Sequence, residues 1–468
     1  MQTTRRAFLT AVVAGAGSLV CERIEAAIDH TDVTPDVPLR IAKCELEVAP
    51  GHTVQTTAYN GSVPGPLIRL REHVPMTVEI SNDTDIPEYV HWHGLPVAAA
   101  IDGTEEEKSL IVAPHGRLRY RMTPEVSGSR WVHSHVMAMR DLTKGVYGGQ
   151  FGFVYIEPKS DPGSYDQELF LATHEWEPFF IEGEEGDMVG APEKFGETDW
   201  GPTMVEVGYG IRSINGRALG HSDPVRVKRG QRVLFHLLNA SATENIRLSL
   251  PGHEFLVVAL DGNPVPRPRS VGVLELAVAE RVDAIVEMNN PGVWILGSTD
   301  DDARGAGLGV LVEYAGKKGI AVQGKRTSEE WDYTKFGGTE RPPRAEEVIP
   351  MVIDRMAPDA RGLERWTING TSYNPRDNPK ALRKGSRYRL VFDNRTSDAH
   401  PLHLHRHTFE LTRVNGKPTS GVRKDVVLVK AYQTVEVDFT PRQEGLTLFH
   451  CHQQLHMDTG FKMLFDIT

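Results

Sequence analysis

Residues 214–240 read INGRALGHSDPVRVKRGQRVLFHLLNA, and similar stretches stand at 59–83 (YNGSVPGPLIRLREHVPMTVEISND) and 368–395 (INGTSYNPRDNPKALRKGSRYRLVFDNR). Their Asn-Gly pairs begin at Asn60, Asn215 and Asn369, so the unit recurs after 155 and then 154 residues. A period of that length is domain-sized and marks a triplicated domain rather than a solenoid. Apolar alternation, β-branched residues and Gly, Pro and Asn turn signals run through most of the chain, while stretches with a 3.6-residue apolar period are scarce. The expected fold is all-β, with three consecutive domains at residues 28–160, 161–315 and 346–468. Residues 316–345 are long, charged and rich in Gly and Pro, and read as the linker before the third.

Bulk properties agree with this division. A chain of 468 residues exceeds one ordinary core, and 40% apolar with 25% charged residues is usual for a globular protein. The formal net charge of −11 argues against a nucleic-acid partner, which needs clustered Lys and Arg, and suits a cationic or neutral substrate. The acidic stretches at 105–108 (EEEK) and 181–188 (IEGEEGDM) read as solvated loops. At the N-terminus, residues 1–27 carry paired Arg5 and Arg6, an apolar run through Val20 and small residues at Ala26 and Ala27. That is the pattern of an export signal of the twin-arginine type, a route for proteins already folded. Its apolar run of about 14 residues is too short to span a bilayer, so a periplasmic or secreted protein without a membrane span is expected. Cys21 leaves with the signal, and Cys44 is read as a small buried apolar residue without a disulfide partner.

The histidines carry the chemistry. They cluster as HWH (91–93), HSH (133–135), HPLHLHRH (400–407) and HCH (450–452), with His456 beyond. In a strand, residues i and i+2 share a face, so each His-X-His projects two imidazoles together. The repeats act as internal controls. Superposing His403 and His405 on His91 and His93 sets His400 opposite Glu88, and superposing HCH on HSH sets Cys451 opposite Ser134 and His456 opposite Met139. In the middle repeat, Ile246, Ser249 and Pro251 take the places of His400, His403 and His405, so that domain has no corresponding ligands and reads as purely structural. Two kinds of site emerge. His400, Cys451 and His456 form a His₂Cys set that suits copper in electron transfer. His91, His93, His133, His135, His403, His405, His450 and His452 divide evenly between domains 1 and 3, which points to a cluster at their interface holding several metal ions.

With HWHG, WVHSH, HPLHLH and HCHQQLHMDTG all in place, the chain resembles the three-domain multicopper oxidases: laccases, cuprous oxidases and bacterial relatives. The likeness runs from about residue 40 to the end and includes GHEFLVVALDGNPVPRP in the middle domain. The resemblance implies a cupredoxin-like Greek-key β-sandwich in each domain and four copper ions per chain. His400, Cys451 and His456 would hold a type 1 copper, His91 and His403 a type 2 copper, and His93, His133, His135, His405, His450 and His452 a type 3 pair. His407 is assigned no copper. The axial type 1 position, ten residues after the cysteine in this family, falls on Phe461, which cannot ligate; a high reduction potential is expected. Asp102 stands where many relatives carry an acid after HWHG and is the candidate proton donor, while Met457 takes the place of the second acid that some relatives have.

The implied reaction couples four one-electron oxidations of a small reductant to the reduction of O₂ to water. Because the methionine-rich insertion common in cuprous oxidases is absent, and Met137, Met139, Met351, Met356 and Met457 read as packing residues, laccase-like oxidation of phenols is preferred. The alternatives are a cuprous, ferrous or manganous ion oxidase on the same scaffold, a non-catalytic multicopper-like protein, or an electron-transfer module using the type 1 site alone.

Overall fold

In the computed structural model, residues 34–159, 164–182, 205–324, 331–356 and 365–468 are described. The expected export signal and most of the acidic stretch 181–188 lie outside them. The repeated Asn-Gly pairs have a common structural cause. Asn60-Gly61, Asn215-Gly216 and Asn369-Gly370 all sit at positive φ, as the two central residues of a tight hairpin turn require, and each pair is flanked by a bridge between the residues on either side. Each asparagine then clamps a neighbouring strand. Asn60 accepts from Arg40 N and donates to Pro38 O, Asn215 accepts from Ala172 N and donates to Phe170 O, and Asn369 accepts from Val352 N and donates to Pro350 O.

Alternation does the rest. Along Val37–Ala49, Val37, Leu39 and Ile41 are buried while Pro38 and Arg40 face out. Residues 37–157 form two four-stranded sheets whose inner faces share one core that includes Val78, Val90, Trp92 and Val154. Residues 167–314 form sheets of six and five strands, and residues 347–467 sheets of seven and five. The architecture is three cupredoxin-like β-sandwiches. A continuous apolar core runs from Leu171 to Ile467 through the second and third sandwiches, and a smaller cluster joins all three through Val48, Trp131, Trp176, Val278 and Val426. Each fully buried aromatic in these contacts is worth about 1.5–3 kcal/mol.

The stretch expected to be a linker is tied down in its described part. Trp331, Tyr333 and Phe336 are buried, and Tyr333 donates to Glu280 of the second sandwich while accepting from Leu428 N of the third. Cys44 is only half-buried, against the smaller joining cluster, rather than fully buried as expected. Among the described residues, no helix is long and apolar enough to cross a membrane.

Candidate metal centre

Strand Val90–His93 pairs antiparallel with Gly128–Ser134, setting His91 opposite His133. Strand His400–Leu404 pairs with Gly445–Cys451 in the same sense, setting His403 opposite His450. The first and third sandwiches thus present equivalent histidine ladders, and the ladders meet. All eight imidazoles are buried, none more than 5% exposed. The eight rings form one continuous cluster, in which His93 stacks on His403 with centroids 3.8 Å apart and His91 lies 4.0 Å from His405. His93, His133 and His452 have centroids 5.1–5.6 Å apart, His135, His405 and His450 lie 5.0–5.4 Å apart, and His91 and His403 face each other at 5.7 Å. Each triad draws on both sandwiches.

The ring nitrogens show what the cluster is built to receive. His91, His133, His403 and His450 each turn Nδ1 to a backbone carbonyl, at Asp102, Ser134, Asp425 and Cys451, at 2.7–2.8 Å. A carbonyl only accepts, so Nδ1 carries the proton and Nε2 is left with a bare lone pair. Nε2 of His91, His133, His135, His403 and His452, and Nδ1 of His93, are buried without a hydrogen-bond partner. Nε2 of His405 and His450 point at each other across 2.9 Å. His405 Nδ1 is turned to the Asp102 carboxylate and His450 Nδ1 to a carbonyl, so two lone pairs converge where a cation belongs. Burial, and then neighbouring charge, pushes His93, His133, His135, His403, His405 and His452 well below the usual imidazole range and His450 to about 3. Neutral imidazole is the ligating form, and so many buried, unpartnered lone pairs fit metal ions.

Cys451 ends its strand and faces the other way. Its Sγ lies 3.8 Å from His400 Nδ1 and 3.6 Å from His456 Nδ1, and the three donor atoms are mutually within 4.8 Å. His400 Nε2 is anchored at 2.9 Å by Thr396 Oγ1, which leaves Nδ1 to the site. Burial pushes the thiol well up and His456 down to about 3, so a bound cation is what would make the thiolate stable here. Phe461 is fully buried, its ring 5.0 Å from that of His400 and stacked on Trp366, which in turn packs 4.2 Å from His456. Met463, two residues on, pairs across the sheet with Phe449 and not with Cys451.

Three family models, each described as multicopper oxidase, match residues 40–161, 207–315 and 342–468. The chain belongs to the multicopper oxidase family. It is therefore a copper-dependent oxidoreductase, and the donor sets above fit the four coppers of types 1, 2 and 3 typical of that family. Among relatives, multicopper oxidase MmcO of Mycobacterium tuberculosis is 29% identical over 98% of this chain and 92% of its own length. Laccase-3 of Thanatephorus cucumeris is 25% identical over 90% of this chain and 88% of its own. Among solved structures, the laccase from Botrytis aclada superposes with a TM-score of 0.74 at 19% identity, covering 93% of this chain and 89% of that one.

This multicopper oxidase surrounds its histidines with acids that the sequence reading only partly found. Asp102 closes the short helix Ala99–Asp102. Gly103 follows at φ 90°, where a Cβ would lie 2.0 Å from Val90 O, so only glycine lets the turn press onto the histidine strand. Asp102 is fully buried and holds two histidines, His91 through its carbonyl and His405 through Oδ2 at 2.8 Å. Glu107, expected in a solvated loop, is instead 3% exposed. It accepts from Leu448 N at 2.7 Å, lies 3.7 Å from Arg406 and 3.9 Å from His405 Nδ1, and burial raises its pKa well above the carboxylate range. Asp425 mirrors Asp102, holding His403 through its carbonyl and His93 through Oδ1 at 3.0 Å. The sequence signal for Asp425 was Arg423-Lys424-Asp425, a charged triplet running straight into the apolar strand Val426–Val429. Two expectations about methionine fail: Met137 and Met356 are each 41% exposed, so packing is not their role, whereas Met351 and Met457 are buried. His407 stays outside the cluster, its Nδ1 turned to His405 O.

Proposed function

We propose that this enzyme is a laccase-like oxidase of phenolic substrates. Substrate electrons enter at the Cys451 site, and O₂ is reduced to water at the histidine cluster. In this reading His400, Cys451 and His456 hold the type 1 copper, His91 and His403 the type 2 copper, and the triads His93–His133–His452 and His135–His405–His450 one type 3 copper each. Copper supplies one-electron steps at the first site and, grouped, enough electrons to carry O₂ to water.

The observation that carries this reading is the place of Cys451 between His450 and His452, one from each triad. Its backbone carbonyl also accepts from His450 Nδ1 at 2.8 Å, so covalent and hydrogen-bonded routes both lead from the thiolate to the cluster. Phe461 brings no donor atom to the first site, which favours the reduced ion and a high potential. Protons belong to Asp102, whose Oδ2 orients His405 while its Oδ1 is buried without a partner. Glu107, beside it, is the second acid of the relay. The sandwiches at 28–160 and 346–468 build the metal sites, 161–315 joins them, and residues 1–27 export the folded protein to the periplasm or medium.

Oxidation of a metal ion has one observation in its favour. Glu105, Glu106, Met137, Met139 and Asp458 line a cavity of about 670 Å³ that reaches Thr459, three residues from His456; Lys108, Arg365 and Lys462 share the lining, with Lys462 paired to Glu106, so Glu105, Met139 and Asp458 are the groups left to meet a cation. Oxygen uptake measured side by side with phenols, Cu(I), Fe(II) and Mn(II) separates the two. Phenols should turn over fastest, and rapid oxidation of a metal ion with negligible phenol oxidation would overturn the preference.

A further inference from the structure

The middle sandwich contributes no imidazole, yet it reaches the cluster. Arg281, on strand Arg281–Glu287 of that sandwich, is fully buried and donates a two-pronged fork to Asp425 of the third, Nη1 to Oδ1 at 2.7 Å and Nη2 to Oδ2 at 2.6 Å. Oδ1 of the same carboxylate faces His93 Nε2 of the first sandwich at 3.0 Å. Three sandwiches therefore meet at one carboxyl group. Asp261, also from the middle sandwich, backs the assembly: its Oδ2 accepts from Asp425 N and Val426 N and pairs with the Lys424 ammonium at 3.0 Å, and its Oδ1 accepts from Arg281 N.

His93 is the exception among the eight histidines. It alone holds a fully buried Nδ1 without a partner, and its Nε2 is turned outward to the carboxylate. An imidazole can be flipped about its axis, and only the acceptor on the outer nitrogen decides which lone pair faces in. A buried carboxylate held by one backbone contact would be free to rotate, whereas a bidentate guanidinium fixes its plane and with it the direction of Oδ1. Burial works against the Arg281 charge, and Asp425 and Asp261 more than offset it, holding the guanidinium above its ordinary range.

We propose that Arg281 is a positioning residue of the copper cluster: from the middle sandwich it clamps Asp425, and through Asp425 it sets which nitrogen of His93 faces the metal. The inference rests on the reading of the cluster as a copper site. It makes the middle sandwich a working part of that site, because the fork closes only when that sandwich is docked.

The test compares wild type, Arg281→Lys and the double variant Arg281→Met/Asp425→Leu as full chains. Lysine keeps the buried charge but offers a point contact in place of a fork. The double variant replaces a buried ion pair by apolar side chains of similar size, an exchange proteins commonly tolerate. Copper affinity of the cluster is read by chelator competition, cluster integrity by the near-ultraviolet absorption of the coupled copper pair, and the Cys451 site by its visible band. Both variants should lose roughly 10- to 100-fold in cluster affinity, with the near-ultraviolet band altered and the visible band unchanged. Wild-type cluster affinity and an unchanged near-ultraviolet band in Arg281→Lys would overturn the proposal, whatever happens to the unfolding midpoint. Wild type that takes up no copper in the same titration would instead strike the metal-site reading on which the proposal rests.

Discussion

The first and third sandwiches carry the same strand pairing, yet only one of them has a thiolate site. In the third, Cys451 Sγ faces His400 Nδ1 and His456 Nδ1 at 3.8 and 3.6 Å, the weak contacts of a sulfur, and the three donor atoms converge on one point. In the first, the matching place is closed. Ser134 donates to Glu88 Oε1 at 2.8 Å, Gln150 to Oε2 at 2.6 Å and Tyr89 N to Oε1 at 3.0 Å, so the buried carboxylate has three donors. One scaffold position can thus be finished either with hydrogen bonds or with a metal ion. In the proposed reading the Cys451 site is the one way in for electrons, while both sandwiches share the cluster where they are used.

The most severe way to break the contrast is Cys451→Ser, which makes the third sandwich like the first. Substrate oxidation should fall to background while the unfolding midpoint moves by no more than a few degrees, checked by oxygen uptake and calorimetry. Asp102→Asn leaves the Cys451 site alone and removes the proposed proton donor from the shared cluster. Turnover should drop roughly 10²- to 10⁴-fold while single-turnover reduction of the blue site proceeds normally in stopped flow. Phe461→Met adds a donor beside Cys451 and should lower the reduction potential of that site in a redox titration; an unchanged potential would mean that the axial position lies elsewhere.

Ser134→Cys sharpens the comparison from the other side. With Glu88 and Met139 where the third sandwich has His400 and His456, the new thiol should give no second visible copper band, and stability should fall by about 1–3 kcal/mol because Glu88 loses a donor. The smallest effect concerns Glu88 itself. Burial raises its carboxyl pKa to about 7, against partly offsetting bonds from Gln150, Ser134 and Tyr89. The native state then holds a proton that the unfolded chain releases near pH 4.5, so this contribution is complete below that pH and is lost as pH rises through about 7. It amounts to ~3 kcal/mol at most. Denaturant titrations should show that slope in wild type and a flatter one in Glu88→Gln.

The clustering of the histidines was open to reading in the sequence because it is local. A His-X-His in a strand fixes a face by alternation, the triplicated Asn-Gly turns fix the register, and Ser134 or Ile246 in the other repeats shows what a site without copper looks like. What supports the ligands was not open to reading in that way. Asp425 and His93 are separated by 332 residues, and Asp425 and Arg281 by 144, so only the docking of three sandwiches brings them together. The middle domain read as purely structural because the comparison of repeats asked only about ligands, and Arg281 is not one. Glu107 read as solvated because it stands in a charged run, although Glu105 is exposed and Glu107 is buried. The linker composition around residues 331–338 likewise hid three aromatic anchors, Trp331, Tyr333 and Phe336.

The central claim is that electrons taken singly at Cys451 are gathered at the shared cluster and delivered together to O₂. Oxygen uptake by the copper-loaded enzyme with limiting reductant, followed together with a peroxide assay, tests it most directly. Four reducing equivalents consumed per O₂, with no peroxide, is the result expected. Two equivalents per O₂ with peroxide accumulating would contradict it.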